Sequence, residues 1–190
     1  MNKTLYHVSS VAGITELVPR KGTHDKAYVY ATENKALSLL FGSYKSMGDF
    51  DGMYGVRNGV PYFFEAYPGA FKRCYEGCEC YIYEVDSKGF KEGMTSFSAE
   101  VVNENPVKVK NCTKVDDLYG KLMEMAKSGE LQLVEYTFDE KYSKMMEQHV
   151  EDRIIRFNIL DKPESNTYKF CMDCYPHIMR RLIEEKGIKQ

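Results

Sequence analysis

The chain opens on alternating texture. Thr4 to Val8 is short, β-branched and aromatic, and Ala27 to Ala31 repeats that texture after a polar stretch, Lys21 to Lys26, that contains Gly22. Both runs predict strands. Behind Thr32, a residue able to cap a helix, Ala36, Leu37, Leu40 and Phe41 recur at helical spacing until Gly42, which predicts a short helix. Gly48, Gly52, Gly55 and Gly59 then fall among charged and polar residues, so Gly42 to Pro61 is expected to be a long loop. Strand-like runs resume at Tyr62 to Ala66, Cys80 to Val85, Ser96 to Val102 and Val107 to Val109, broken by Gly69, Gly77, Gly89, Gly93 and Pro106.

The period then changes. Thr113 with Asp116 three residues on has the form of a capping box, and Leu118, Leu122, Met125 and Ala126 carry an amphipathic helix to Gly129. Tyr142, Met145, Met146, His149, Val150, Ile154 and Phe157 predict a second helix from about Asp139, stopping before Pro163. A third runs from about Tyr175 to Lys186, with Pro176 tolerated only in its first turn. Strands first and helices after give an α+β class, with one boundary near Gly129 that divides residues 1–129 from a helical C-terminal segment, 130–190. No internal repeat or low-complexity tract interrupts this order.

Composition narrows the function classes. The 190 residues, 43% hydrophobic, suffice for one domain with a real core, or a domain and a small appendage. Twenty-six basic and 28 acidic side chains nearly cancel, so no net field favours nucleic acid or anionic lipid. No apolar run approaches the roughly 20 residues that span a bilayer, and the opening residues hold no apolar stretch of signal-peptide length. The expectation is a cytoplasmic protein without a membrane partner. Its six cysteines are then expected as free thiols. Cys74, Cys78 and Cys80 form one group; Cys171 and Cys174, followed by His177, form another with zinc-like spacing. Cys171, Cys174 and Tyr175 also share one side of a helix, where cysteine packs as a small apolar residue. Packing is the expectation, with a structural metal as its rival.

Candidate chemistry gathers at strand ends. Tyr6, His7, Ser9 and Ser10 close the first strand, where side chains emerge into whatever cleft the loops build. Tyr28 and Tyr30 share a face of the second and could form an aromatic wall. Within Ser96 to Val102, period 2 places Ser96, Ser98 and Glu100 on one face, either as a solvated outer surface or around a functional acid. The methionines of the later helices are expected in the core or at an adaptable interface.

Together, Leu5-Tyr6-His7-Val8-Ser9-Ser10, Leu17-Val18-Pro19, Ala27-Tyr28-Val29-Tyr30-Ala31-Thr32, the helix carrying Ala36, and Glu100 ahead of Asn105-Pro106-Val107 resemble the ADP-ribosyltransferase superfamily. The branch concerned includes diphtheria-toxin-like transferases, poly(ADP-ribose) polymerases and rifampin ADP-ribosyltransferases, whose signature is histidine, tyrosine and an acid on three separated strands. The resemblance covers roughly residues 3 to 125. It implies a split β-sheet core with flanking helices, NAD as substrate, and transfer of ADP-ribose to an acceptor (protein, nucleic acid or small molecule) by cleavage of the nicotinamide glycosidic bond. His7 would meet the adenosine ribose, with Ser9 beside it as a further cofactor-binding residue; Tyr30 and Phe41 would enclose the nicotinamide, and Glu100 would be the catalytic acid. Two aromatic faces suit a cationic pyridinium, and a fixed carboxylate stabilises the oxocarbenium character that develops on the ribose.

Departures accompany the match. Val8 stands where many members have glycine, Phe41 where many have tyrosine, and Glu84 and Glu104 compete with Glu100 as the acid. The resemblance therefore leaves room for a catalytically inactive binding or interaction module of the same fold, with a protein partner at the C-terminal helices, and for NAD hydrolysis without transfer. RNA 2′-phosphotransferase, a relative on that fold, is disfavoured because no set of arginines presents itself to grip a phosphate.

Overall fold

The computed structural model describes residues 3–21, 26–95 and 97–187. In chain order its first elements are β1 (Thr4–Ser9), β2 (Glu16–Leu17), β3 (Arg20–Lys21), β4 (Ala27–Ala31), α1 (Lys35–Leu40), β5 (Gly52–Arg57), β6 (Val60–Glu65), α2 (Ala70–Tyr75) and β7 (Cys80–Asp86). There follow β8 (Val101–Asn103), β9 (Val107–Lys108), β10 (Asn111–Val115), α3 (Leu118–Ser128), β11 (Gln132–Val134), α4 (Glu140–Arg156), α5 (Asn166–Cys174) and α6 (Pro176–Glu185). The class is α+β.

The chain divides into two compact units. The first comprises Met1–Ser46, Gly55–Phe63 and Lys72–Leu133, the second Met47–Tyr54, Phe64–Phe71 and Val134–Gln190. In the first unit β7 is the middle of a sheet ordered β1-β7-β10, antiparallel throughout, with Leu5 opposite Val85 and His7 opposite Tyr83. A second sheet, β3-β4-β8, sets Arg20 opposite Tyr28 and Tyr30 opposite Val102. A bridge between Tyr6 and Thr32, closed by both backbone hydrogen bonds at 2.8 and 3.0 Å, links β1 to the end of β4. Inward positions of these strands, with Leu17 and Val107 of the β2-β9 pair, form a core of Leu5, Leu17, Val29, Ala31, Val85, Val101 and Val107. Alternation along β4 thus sends Val29 and Ala31 into this core and leaves Tyr28 and Tyr30 on the other face.

The second unit is built on helices. Met146, Val150 and Ile154 of α4 pack with Cys171 of α5 and Ile178, Met179, Leu182 and Ile183 of α6. Two buried carboxylates tie its segments together. Asp51 accepts hydrogen bonds from the Tyr67 hydroxyl at 2.8 Å and the Met47 amide, and Glu65 accepts from the amides of Phe71 at 2.8 Å and Tyr136 at 2.9 Å. A buried acid is tolerated when its lone pairs are occupied in this way. Cys171 is fully buried with its thiol pushed up to about 12 by loss of solvent, so it behaves as an apolar group. His177 turns to Glu147 at 3.2 Å, and among the described residues no three His, Cys, Asp or Glu side chains gather as a metal site requires.

Several expectations are corrected. Gly42 to Pro61 is not a structureless loop: residues 48–50 form a 3-10 turn, and β5 and β6 are joined through Asn58 and Gly59, at φ 52° and 79°, the two left-handed residues of a tight hairpin. Gly42 is required by close approach, since a Cβ there would lie 3.0 Å from the Cys80 sulfur and 3.1 Å from Val8. The cap of α1 is Asn34, whose side chain accepts from the Leu37 amide at 2.9 Å, while Thr32 is committed to the bridge with Tyr6. Thr113 does not open a helix. It lies in β10 opposite Ile82, and Asp117 caps α3 by accepting from Gly120 at 2.9 Å. The strand expected from Ser96 shrinks to Val101–Asn103; Phe97 to Glu100 is a turn closed by the Glu100 amide on the Phe97 carbonyl, and Ser96 lies outside the described residues. Among the described residues no helix is long and apolar enough to cross a membrane.

Candidate functional site

A cavity of about 220 Å³ opens in the first unit where the end of β1, the end of β4, helix α1 and the turn before β8 converge. Its lining includes His7, Tyr30, Phe41 and Glu100, four side chains that sequence separates by up to 93 positions. Ser9 is not part of the lining; its hydroxyl accepts a hydrogen bond from the Val11 amide at 3.1 Å. Glu84 sits in mid-strand opposite Tyr6, and Glu104 pairs with Lys26 at 3.2 Å and Lys91 at 3.5 Å, so neither rival acid lines the cavity.

Each lining side chain is placed by a nameable local cause. His7 projects from β1 with Nδ1 2.8 Å from the Tyr30 carbonyl oxygen. A carbonyl can only accept, so in the neutral ring Nδ1 carries the proton and Nε2 is left as an acceptor. Burial holds the His7 pKa below its ordinary value; the bond to Tyr30 opposes this, and the nearby Arg20 charge reinforces it. At neutral pH the ring is therefore uncharged, able to receive a hydrogen bond from a hydroxyl.

Tyr30 is fixed by the register of β4 on β8, and its ring meets Tyr28 edge-on at 5.9 Å between centroids. Its phenol is pushed up, first by burial, then by the charges of Glu100 and Tyr28. That coupling follows from the register. Val102 faces Tyr30, and Glu100, two residues earlier, returns to the same side just beyond the strand end. Phe41 ends α1 and remains 46% exposed. Phe97 meets it edge-on, 6.2 Å between centroids with planes at 78°.

Phe97 corrects the sequence reading. Strict alternation put Ser98 beside Glu100 and Phe97 opposite; the turn instead brings Phe97 and Glu100 to one cavity and leaves Ser98 exposed outside it. Tyr6, Ala31, Thr32, Leu37, Ser38 and Ala99 also contribute to the lining, none of them named beforehand as a ligand-binding residue. Leu37 and Ser38 were findable in principle, one turn before Phe41 on the same helix face. Val8, the residue in place of the expected glycine, is itself a lining residue.

The arrangement offers one carboxylate, one neutral imidazole acceptor, a buried phenol and an exposed aromatic edge pair around a small, largely apolar hollow. Such a hollow takes a flat ring and the sugar joined to it, with the acid beside any positive charge that develops. Comparison with protein-family models, with curated proteins and with solved structures gave no match.

Proposed function

We propose that the first unit binds NAD and cleaves its nicotinamide glycosidic bond, passing ADP-ribose to an acceptor, on a fold of the ADP-ribosyltransferase type. The observation that carries this reading is the convergence of His7, Tyr30, Phe41 and Glu100 on one cavity. The resemblance named these four residues from a few short patches of sequence, whereas alternation alone allowed Glu100 to face bulk solvent. In this reading the His7 Nε2 accepts from a ribose hydroxyl of the adenosine half. Phe41 and Tyr30 enclose the nicotinamide ring, whose cationic pyridinium is attracted to aromatic faces. Glu100 lies against the nicotinamide ribose. As the bond from anomeric carbon to nitrogen lengthens, its electrons leave with nicotinamide, the ribose becomes cationic, and the fixed carboxylate stabilises that charge until the acceptor adds.

A second reading is favoured by Val8, which stands in the lining where the family pattern has glycine. In it the cavity holds the same ligand without cleaving it, and the domain serves as a binding or interaction module. A calorimetric NAD titration of the wild type and Tyr30→Ala tests what both readings share. Saturable binding, weakened in the variant, is expected; a wild type that takes up no NAD overturns both. Nicotinamide release separates them.

A further inference from the structure

A cavity of about 220 Å³ is smaller than the roughly 300–1,000 Å³ of sites that enclose a whole small ligand. On the reading above it encloses the nicotinamide ring and its sugar and meets the adenosine ribose only at His7, so both phosphates must leave the mouth and lie on adjoining surface. The anionic part of the ligand then meets side chains outside the cavity lining. Tyr30, which lines the cavity, lies on the face of the β3-β4-β8 sheet that also carries Tyr28.

Arg20 stands on that surface. It is directly opposite Tyr28 in the antiparallel β3-β4 pair, and directly opposed residues project to the same face. Tyr30 is its diagonal neighbour, at a separation of about 7–8 Å that a long side chain spans. Lys21, the next residue, pairs with Ala27 and projects to the other face. Both β3 side chains are exposed, and among the described residues no carboxylate lies within ion-pair distance of the Arg20 guanidinium. The neighbouring cation, Lys26, is differently placed: it lies over the Tyr28 ring at 6.0 Å and pairs with Glu104. The Arg20 charge also lowers the His7 pKa, after burial and against the bond to Tyr30.

We propose that Arg20 holds the diphosphate of the dinucleotide where it emerges from the cavity beside His7. A planar guanidinium offers paired donors that match two phosphate oxygens, and it remains charged at every physiological pH. This assignment rests on the NAD reading. It gives the site selectivity for a phosphorylated nucleotide over the bare nucleoside, which a lining whose charged group is the Glu100 carboxylate does not supply.

The test compares wild type, Arg20→Gln and Lys21→Gln in titrations with NAD and with nicotinamide riboside, which has the same ring and sugar but no phosphate. The expected result is that Arg20→Gln binds NAD about ten- to a hundredfold more weakly, and binds nicotinamide riboside as wild type does. Lys21→Gln, which removes the same charge from the opposite face, is expected to bind both ligands unchanged. Equal NAD affinity in wild type and Arg20→Gln overturns the assignment and leaves the NAD reading standing. Equal losses for both ligands in Arg20→Gln, or an equal NAD loss in Lys21→Gln, also overturn it, since the effect is then structural or one of net charge. A wild type that binds neither ligand overturns the NAD reading and this assignment with it.

Discussion

Replacing Phe41 by alanine separates a binding role from a packing role, because the ring is nearly half exposed and yet lines the cavity. Full burial of a phenylalanine side chain contributes about 1.5–3 kcal/mol, so a ring that is 46% exposed contributes roughly half of that. Its edge contact with Phe97 adds about 0.5–1.5 kcal/mol. Phe41→Ala is therefore expected to cost roughly 1–3 kcal/mol of stability. Leu37→Ala, on the same helix at a position with no exposed surface, is expected to cost about 2–5 kcal/mol. The ligand effect is the discriminating quantity. Loss of an aromatic face against a cationic ring costs about 1–2 kcal/mol, or roughly 5- to 30-fold in affinity. Phe41→Tyr retains the face and should retain the affinity. Denaturant unfolding and calorimetric NAD titration on the same samples measure both numbers. Unchanged affinity in a folded Phe41→Ala protein would refute the assignment of this ring to the nicotinamide.

Other outcomes follow from the same geometry. Asp51→Ala leaves the Tyr67 hydroxyl and the Met47 amide without their buried acceptor, and at about 1–3 kcal/mol for each group the melting temperature should fall by several degrees; a shift under one degree contradicts the role given to this carboxylate. His7 has its folded-state pKa held below its unfolded value by burial, so it takes up a proton more readily when unfolded. Its contribution to stability is complete above the unfolded pKa of about 6.5 and is lost as pH falls toward the folded value. Unfolding free energies measured from pH 8 to pH 5 should decline less steeply in His7→Gln than in wild type, and identical slopes would contradict the neutral buried ring. Gly42→Ala places a methyl group 3.0 Å from the Cys80 sulfur and 3.1 Å from Val8, and an overpacking cost of about 1–3 kcal/mol is expected in denaturant unfolding; a neutral substitution would show that this approach is not tight.

Local signals in the sequence were legible where they acted locally. The alternation of β4 and the helical spacing of α3, α4 and α6 are visible in the chain because each element is decided by its own apolar face. The hairpin of β5 and β6 was hidden by its own glycines. Their density suggested a loop, although Asn58-Gly59 is itself a strong two-residue turn signal. Helix α2 was missed because it has only six residues between glycines, too few for its period to show. The candidate site divides in the same way. Its individual residues stood at recognisable strand ends, but their convergence depends on the Tyr30–Val102 register, the Tyr6–Thr32 bridge and the His7 bond to the Tyr30 carbonyl, all made between segments far apart in the chain. Phe97 and Arg20 escaped notice for that reason: a turn carries one to the cavity, and a cross-strand partner places the other beside it.

The central claim is that Glu100 acts on bound NAD, and nicotinamide release by purified wild type and Glu100→Gln tests it most directly. The glutamine keeps the shape and removes the charge. The account predicts that wild type releases nicotinamide and that the variant binds NAD with similar affinity while releasing it about 10²–10³-fold more slowly. Equal release by the two proteins, or no release by a wild type that binds NAD, would contradict it.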